Sequence, residues 1–348
     1  RGLGAKEREQ FEVNPKERGS LQHLLLERFQ AKLSKKPRVW RDLKPGEARA
    51  MIAEIGKELC ETHRGGLFIR DPRSAYVAER LMDSLAGMVE ACVVWMSQYS
   101  LDPAHVEVSF GLEADGVAGL PVPLSNGKSM VLRGRIDRVD LLKDDESGEA
   151  WAVIVDYKSS PRELDELKLR HGLQLQLMAY CEVLRRQPAF AERWGYGAIR
   201  PVAAFYICLN AKNRNLPSLA AAGEAADNPH EHRGRFDADH LSLLDAREGV
   251  SKGDQLNYKR NKDGTFHANS VDPVSGVKFR SLMDQAMEKV AGFGERIYSG
   301  EMRPAPFQLK AEKACTFCEF QGVCRFDPWR DVYRVLGSDT ADSTMEEG

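Results

Sequence analysis

The chain has 348 residues, 42% of them hydrophobic and 29% charged, with a formal net charge of −2. That length and balance suit one large globular domain or two small ones, and exclude capture of nucleic acid through a global basic field, so any such contact must come from a local patch. No apolar run approaches the length that spans a bilayer.

The sequence opens on Arg1 rather than Met, with no signal peptide, and is expected to be a piece of something longer. Residues 1–16 are strongly charged. Leu21, Leu24, Leu25 and Phe29 then recur at helical spacing and mark the buried face of a first helix. His23 lies off the centre of that stripe, where a helix-surface or core histidine is the bland reading. Further amphipathic helices are expected over 47–62 and about 74–100, with Cys92 a small core residue.

Strand-like sequence begins at Val106–Phe110, where Glu107 reads equally well as an exposed strand glutamate. Leu120–Leu124 and Ser129–Leu142 flank Asn126-Gly127, a strong hairpin signal. Two segments then carry acidic residues that strand propensity does not favour: Gly134-Arg135-Ile136-Asp137-Arg138-Val139-Asp140, and Trp151 to Ser160. The polar run Lys143–Glu149 between them predicts adjacent antiparallel strands. Val153-Ile154-Val155 is continuously apolar, as in a strand covered on both faces, and ends in Asp156-Tyr157-Lys158. Alternation puts Asp156 and Lys158 on one face. A carboxylate for a divalent cation, a lysine for the attacking water and a second carboxylate at Asp137 together suit metal-assisted hydrolysis. The triplet alone would favour a surface ion pair worth little.

Beyond Lys158 the chain is basic, with Arg162, Lys168, Arg170 and His171. A helix is expected over Leu173–Leu184, with Gln176 and Tyr180 on one face, suited to a phosphate, sugar or base edge. Val202–Leu209 reads as an apolar strand with Cys208 in the core. From Asn210 to about Pro273, turn-rich composition predicts loops around one short helix near 239–247, with His230 and His232 solvated. A helix from about Phe279 to Ser299 stops at Gly300, and residues 336–348 read as a disordered acidic tail.

Cysteines stand at 60, 92, 181, 208, 315, 318 and 324. An odd count with a tight C-terminal group argues for metal ligation in a reducing compartment, the cytoplasm, rather than for disulfides. Cys315-x2-Cys318-x5-Cys324 supplies three thiolates where zinc and iron–sulfur clusters want four protein ligands. Cys60 and His63 are one source of a fourth ligand, with zinc as the metal.

Gly19-x-x-x-His23, Gly134-x-x-Asp137, Asp156-x-Lys158 and Gln176-x-x-x-Tyr180, in that order, resemble the RecB-like branch of the PD-(D/E)XK nucleases. With the cysteine triplet, the chain is similar over residues 1 to about 330 to the AddB-type members of that branch. The resemblance implies an α/β restriction-endonuclease-like core, a mixed central sheet flanked by helices in the order helix, three strands, helix, strand. It implies a single domain over 1–335, with the core at about 105–210, N-terminal helices over 17–100, and a helix with the cysteine region over 279–330. By the same resemblance, Mg2+ or Mn2+ is held by His23, Asp137, Asp156 and the carbonyl of Tyr157. Lys158 positions the water, Gln176 and Tyr180 face the site, and Glu107 stands where relatives often carry an acidic residue. Cys315, Cys318 and Cys324 would join a cysteine upstream of residue 1 in a 4Fe–4S cluster. The implied activity is a metal-dependent deoxyribonuclease, an exonuclease, that processes DNA ends in recombinational repair beside an AddA-like helicase–nuclease partner. A stand-alone RecB-like exonuclease and a non-catalytic DNA-binding scaffold are the alternatives.

Overall fold

The computed structural model describes residues 13–35, 38–112, 116–210 and 228–337. Most of the charged opening segment and most of the predicted acidic tail lie outside these residues. Three helices come first: α1 (Pro15–Ser34), α2 (Pro45–Thr62) and α3 (Pro72–Trp95). Each begins on proline, whose fixed φ and missing N–H suit a helix start. Asn14 caps α1 by accepting from the Glu17 amide at 2.9 Å, and Asp71 caps α3 through the amides of Arg73 and Ser74. Helix α3 stops at Trp95 instead of running on to 100, because the chain turns and folds Tyr99 back onto Trp95, with ring centroids 4.0 Å apart.

The strands are β1 (Asp102–Phe110), β2 (Leu120–Pro123), β3 (Ser129–Leu132), β4 (Gly134–Lys143), β5 (Ala150–Lys158), β6 (Ile199–Cys208), β7 (Arg233–Asp237) and β8 (Pro273–Val274). Helices α4 (Glu166–Arg170), α5 (Gln176–Arg186) and α6 (Pro188–Trp194) lie between β5 and β6, and α7 (Gly276–Tyr298) follows β8. One mixed sheet has the order β1-β4-β5-β6-β7-β8. Strand β4 is antiparallel to β1 and β5, β5 runs parallel to β6, β6 is antiparallel to β7, and β7 is parallel to β8.

Helices cover both faces of this sheet. On one side Leu25, Phe29, Ile52, Leu85 and Val89 of α1–α3 pack with Val153, Val155 and Phe205. On the other, Leu177, Met178, Leu282 and Met283 of α5 and α7 pack with Ala152, Ile154 and Tyr206. This two-sided burial is why β5 reads as an unbroken apolar run.

Four further expectations are corrected. The Ser129–Leu142 run divides at Arg133: β3 pairs with β2 in a separate hairpin, and β4 enters the main sheet. Helix α5 begins at Gln176, not Leu173, because Gln174 adopts φ 54° and its side chain accepts from the Asp165 amide at 2.9 Å. The segment read as loops contributes β7 and β8 to the sheet, so the core extends well past residue 210. Its composition misled because Arg233 and Arg235 of β7 are spent on Glu163 (2.9 Å) and Glu166 (3.3 Å). Gly234 is there because a Cβ would collide with the Ala204 carbonyl oxygen on the neighbouring strand. His230 and His232, read as solvated, are buried: His230 meets the Cys208 carbonyl at 2.7 Å, and His232 lies among Trp95, Phe205 and Gln255.

Candidate active site

Strands β4 and β5 pair with Arg138 opposite Val155, so one step further along the ladder brings Asp137 beside Asp156. Asp137 Oδ2 accepts from the Tyr157 amide at 2.7 Å. Asp137 Oδ1 lies 3.7 Å from His23 Nδ1, which is itself 3.2 Å from Glu107 Oε1. His23, Glu107 and Asp137 therefore offer ligand atoms that all lie within 4.8 Å of one another.

Glu107 reaches this group by an unusual backbone. It sits in β1 between the pairs Val106–Arg138 and Val108–Ile136 with φ 50°, a left-handed conformation that costs a non-glycine residue about 1–2 kcal/mol. Its second oxygen lies 3.3 Å from Arg135 Nη1. The sequence left Glu107 open between an exposed residue and a site residue; the structure puts it in the site.

Asp156 is 1% exposed. Its Oδ2 contacts Lys158 Nζ as an ion pair without regular hydrogen-bond geometry, and Oδ1 accepts nothing among the described residues. Lys158 Nζ donates to Gln176 Oε1 at 3.1 Å, and Gln176 Nε2 donates to the Tyr180 hydroxyl at 3.0 Å. The expected Gln/Tyr pair thus forms a relay onto the lysine. Gly134 makes room for it, because a Cβ there would stand 3.2 Å from Phe110 Cζ and 3.6 Å from Tyr180 Cε1.

The model of the PD-(D/E)XK nuclease superfamily matches residues 1–325. The chain belongs to the PD-(D/E)XK nuclease superfamily. It is also similar to curated proteins named as subunits of an ATP-dependent helicase/deoxyribonuclease. That of Moorella thermoacetica is 29% identical over 345 residues, covering 97% of this chain and 29% of the relative. That of Natranaerobius thermophilus is 30% identical over 334 residues, 93% of this chain and 27% of the relative. That of Bacillus cereus (strain ATCC 14579) is 28% identical over 363 residues, 99% of this chain and 30% of the relative. The chain thus spans under a third of the length of these relatives.

The clustered carboxylates sit under electrostatic stress. Burial, opposed by His23 and reinforced by the charge of Asp156, pushes Asp137 up to about 7. Burial also raises Asp156, against the pull of Lys158. For His23, burial acts downward, but the Glu107 hydrogen bond and the charge of Asp137 outweigh it and the net direction is up. Burial would raise Glu107, yet His23 and Arg135 hold it below its ordinary value. Crowded, partly orphaned carboxylates beside an imidazole are the donor set of a hard divalent cation. The residues present fit such an ion.

Several residues that place these groups escaped the sequence reading. Gln22, 1% exposed, donates to Asn210 Oδ1 at 3.0 Å, and Asn210 donates to the Ser159 carbonyl at 2.7 Å, tying the His23 helix to the end of β5. Beneath the site Arg138 and Asp140 are fully buried as a two-pronged pair, both contacts 2.6 Å. Tyr99 donates to Asp140 at 2.8 Å, Arg138 Nη1 lies 3.4 Å from the Tyr157 hydroxyl, and the guanidinium sits 4.8 Å from the Trp40 ring centre. Tyr157 thus meets Asp137 through its backbone and the core through its phenol. The signal was present as two opposite charges at i and i+2 of one strand.

Cys315, Cys318 and Cys324 line one cavity of ≈ 310 Å³ with Lys313, Phe326 and Tyr333. Among the described residues the thiols are not drawn into a three-ligand group like that at His23. Cys60 is buried in the α1–α3 core and His63 lies 3.6 Å from Glu17, so this alternative pair is committed elsewhere.

Proposed function

We propose that this chain is a divalent-metal-dependent deoxyribonuclease that hydrolyses phosphodiester bonds exonucleolytically at DNA ends. The observation that carries the reading is the buried Asp156 carboxylate, placed beside Asp137 and against Lys158 at the end of a sheet whose family is nucleolytic. The naming of the relatives as parts of a helicase/deoxyribonuclease supports DNA as substrate and a helicase-linked assembly.

His23, Asp137, Asp156 and the Tyr157 carbonyl would hold Mg2+ or Mn2+, with Glu107 as a further oxygen donor beside His23. A bound cation supplies electrophilic charge to the scissile phosphate and to the attacking water. Lys158 orients that water and offsets negative charge as it develops on the phosphate oxygens. Gln176, accepting from Lys158 and donating to Tyr180, fixes the ammonium so that little reorganisation accompanies the reaction.

Cys315, Cys318 and Cys324 would supply three ligands of a 4Fe–4S cluster; their spacing and shared cavity support this reading. The larger assembly would include an AddA-like helicase–nuclease partner and would act in the cytoplasm on broken DNA ends. No helix of the described residues is long and apolar enough to cross a membrane.

The test is cleavage of linear single- and double-stranded DNA with Mg2+, Mn2+ or EDTA, for the wild type and Asp137→Ala. Metal-dependent cleavage that the variant lacks is expected. Equal cleavage by both proteins would reject the site, and no cleavage by the folded, metal-loaded wild type would reject the activity of this chain.

A further inference from the structure

Arg162 lies four residues beyond Lys158, on the exposed side of the segment linking β5 to α4. Its guanidinium carbon stands 5.9 Å from the centre of the Tyr206 ring, and Lys158 Nζ stands 5.7 Å from the same centre. Tyr206 is 2% exposed and pairs across the ladder with Asp156, so the ring is a fixed platform beside the catalytic carboxylate. Arg162 is near enough for its charge to pull Asp156 downward.

The segment that carries Arg162 is held on both sides. Ser159 accepts from Asn210, Glu163 pairs with Arg233 at 2.9 Å, Leu164 is buried, and the Asp165 amide donates to Gln174. Arg162 itself has no carboxylate within ion-pair distance among the described residues. Lys158, in contrast, is occupied by Asp156 and Gln176. A cation stacked on an aromatic face keeps its N–H groups available and loses less freedom on binding than an unsupported arginine. The adjoining site gathers Glu107, Asp137 and Asp156, so a polyanionic strand needs a positive contact outside the ligand group to approach it.

We propose that Arg162, supported on Tyr206, is a phosphate-binding subsite for the internucleotide phosphate next to the scissile one. The inference rests on the nuclease reading for its substrate, and it assigns Arg162 to strand binding rather than to bond cleavage. A guanidinium recognises phosphate through paired N–H donors, and such a contact displaces condensed counterions.

The test compares the wild type, Arg162→Ala and Arg162→Lys in binding a single-stranded oligonucleotide with Ca2+ as the cation, over a series of salt concentrations. Arg162→Ala is expected to bind roughly tenfold more weakly. Its plot of log affinity against log salt should be shallower by about 0.7, the share of one phosphate contact in single-stranded DNA. Arg162→Lys should keep the wild-type slope, since the charge remains. In Mg2+ turnover, Arg162→Ala should raise KM and leave kcat within about twofold.

Unchanged affinity and slope in Arg162→Ala, or a collapse of kcat at constant KM, overturns the subsite. A wild type that binds with an Arg162-dependent slope but never cleaves rejects the nuclease reading and keeps the subsite. A wild type that cleaves, beside an Arg162→Ala variant identical in binding, does the reverse.

Discussion

The amide of Tyr157 donates to Asp137 Oδ2 at 2.7 Å, joining β4 and β5 at the point where their carboxylates meet. That bond opposes the rise of Asp137 toward neutral pH, but burial prevails and leaves the group at about 7. Asp137 in the metal-free protein therefore exchanges its proton near neutral pH rather than in the ordinary carboxylate range.

A carboxyl raised in the folded protein stabilises it below its unfolded value, near 3.9, and loses that contribution as pH climbs through about 7. The metal-free wild type should lose stability between pH 5 and pH 8, by on the order of 2–3 kcal/mol from this group. Asp137→Asn, whose amide oxygen still accepts from Tyr157, should flatten that dependence and melt higher than the wild type at pH 8 in EDTA. Thermal melts at four pH values decide it; parallel curves for the two proteins would mean that Asp137 does not titrate in this window.

His23 owes its raised affinity for a proton to Glu107 and Asp137, which overcome burial. Glu107→Gln removes one of these negative charges, so the His23 titration should move down. Imidazole resonances followed by NMR against pH in EDTA report this directly. An unchanged or higher midpoint would show that the 3.2 Å contact carries no weight in solution.

Lys158→Ala should reduce kcat by roughly 10²- to 10³-fold or more, as expected when a preorganised cation at a developing charge is lost. Folding should survive, because Lys158 is partly exposed. Steady-state cleavage beside a urea unfolding curve separates the two effects, and wild-type kcat in the variant would remove the lysine from the mechanism.

Arg138→Met strands Asp140 without its cation in a fully buried place and should cost about 3–5 kcal/mol of stability. Arg138→Met combined with Asp140→Leu should recover much of that loss, since two apolar side chains leave no unpaired charge. Urea denaturation of the single and double variants measures the difference. A double variant no more stable than the single one would place the penalty in packing around Trp40 and Tyr99 instead.

The local chemistry of this protein was written in its sequence. Asp156 and Lys158 share a face because strand side chains alternate, Gln176 and Tyr180 because helical positions four apart stack, and both pairs meet as their spacing requires. The apolar run of β5 likewise declared a strand buried on both faces. Elements whose polar residues find partners far along the chain were not legible. Strand β7 looked like loop because nothing in Arg233–Asp237 announces that Glu163, Glu166 and Asp272 lie within reach. Glu107 was ambiguous for the same reason, since only the backbone turn at φ 50° and the arrival of α1 bring it to His23. The periodicity of helix and strand, readable from the sequence alone, determines what neighbouring residues share. Burial, ion pairing and the proton affinities that follow depend on which distant segments the fold brings together, and these the tertiary structure alone decided.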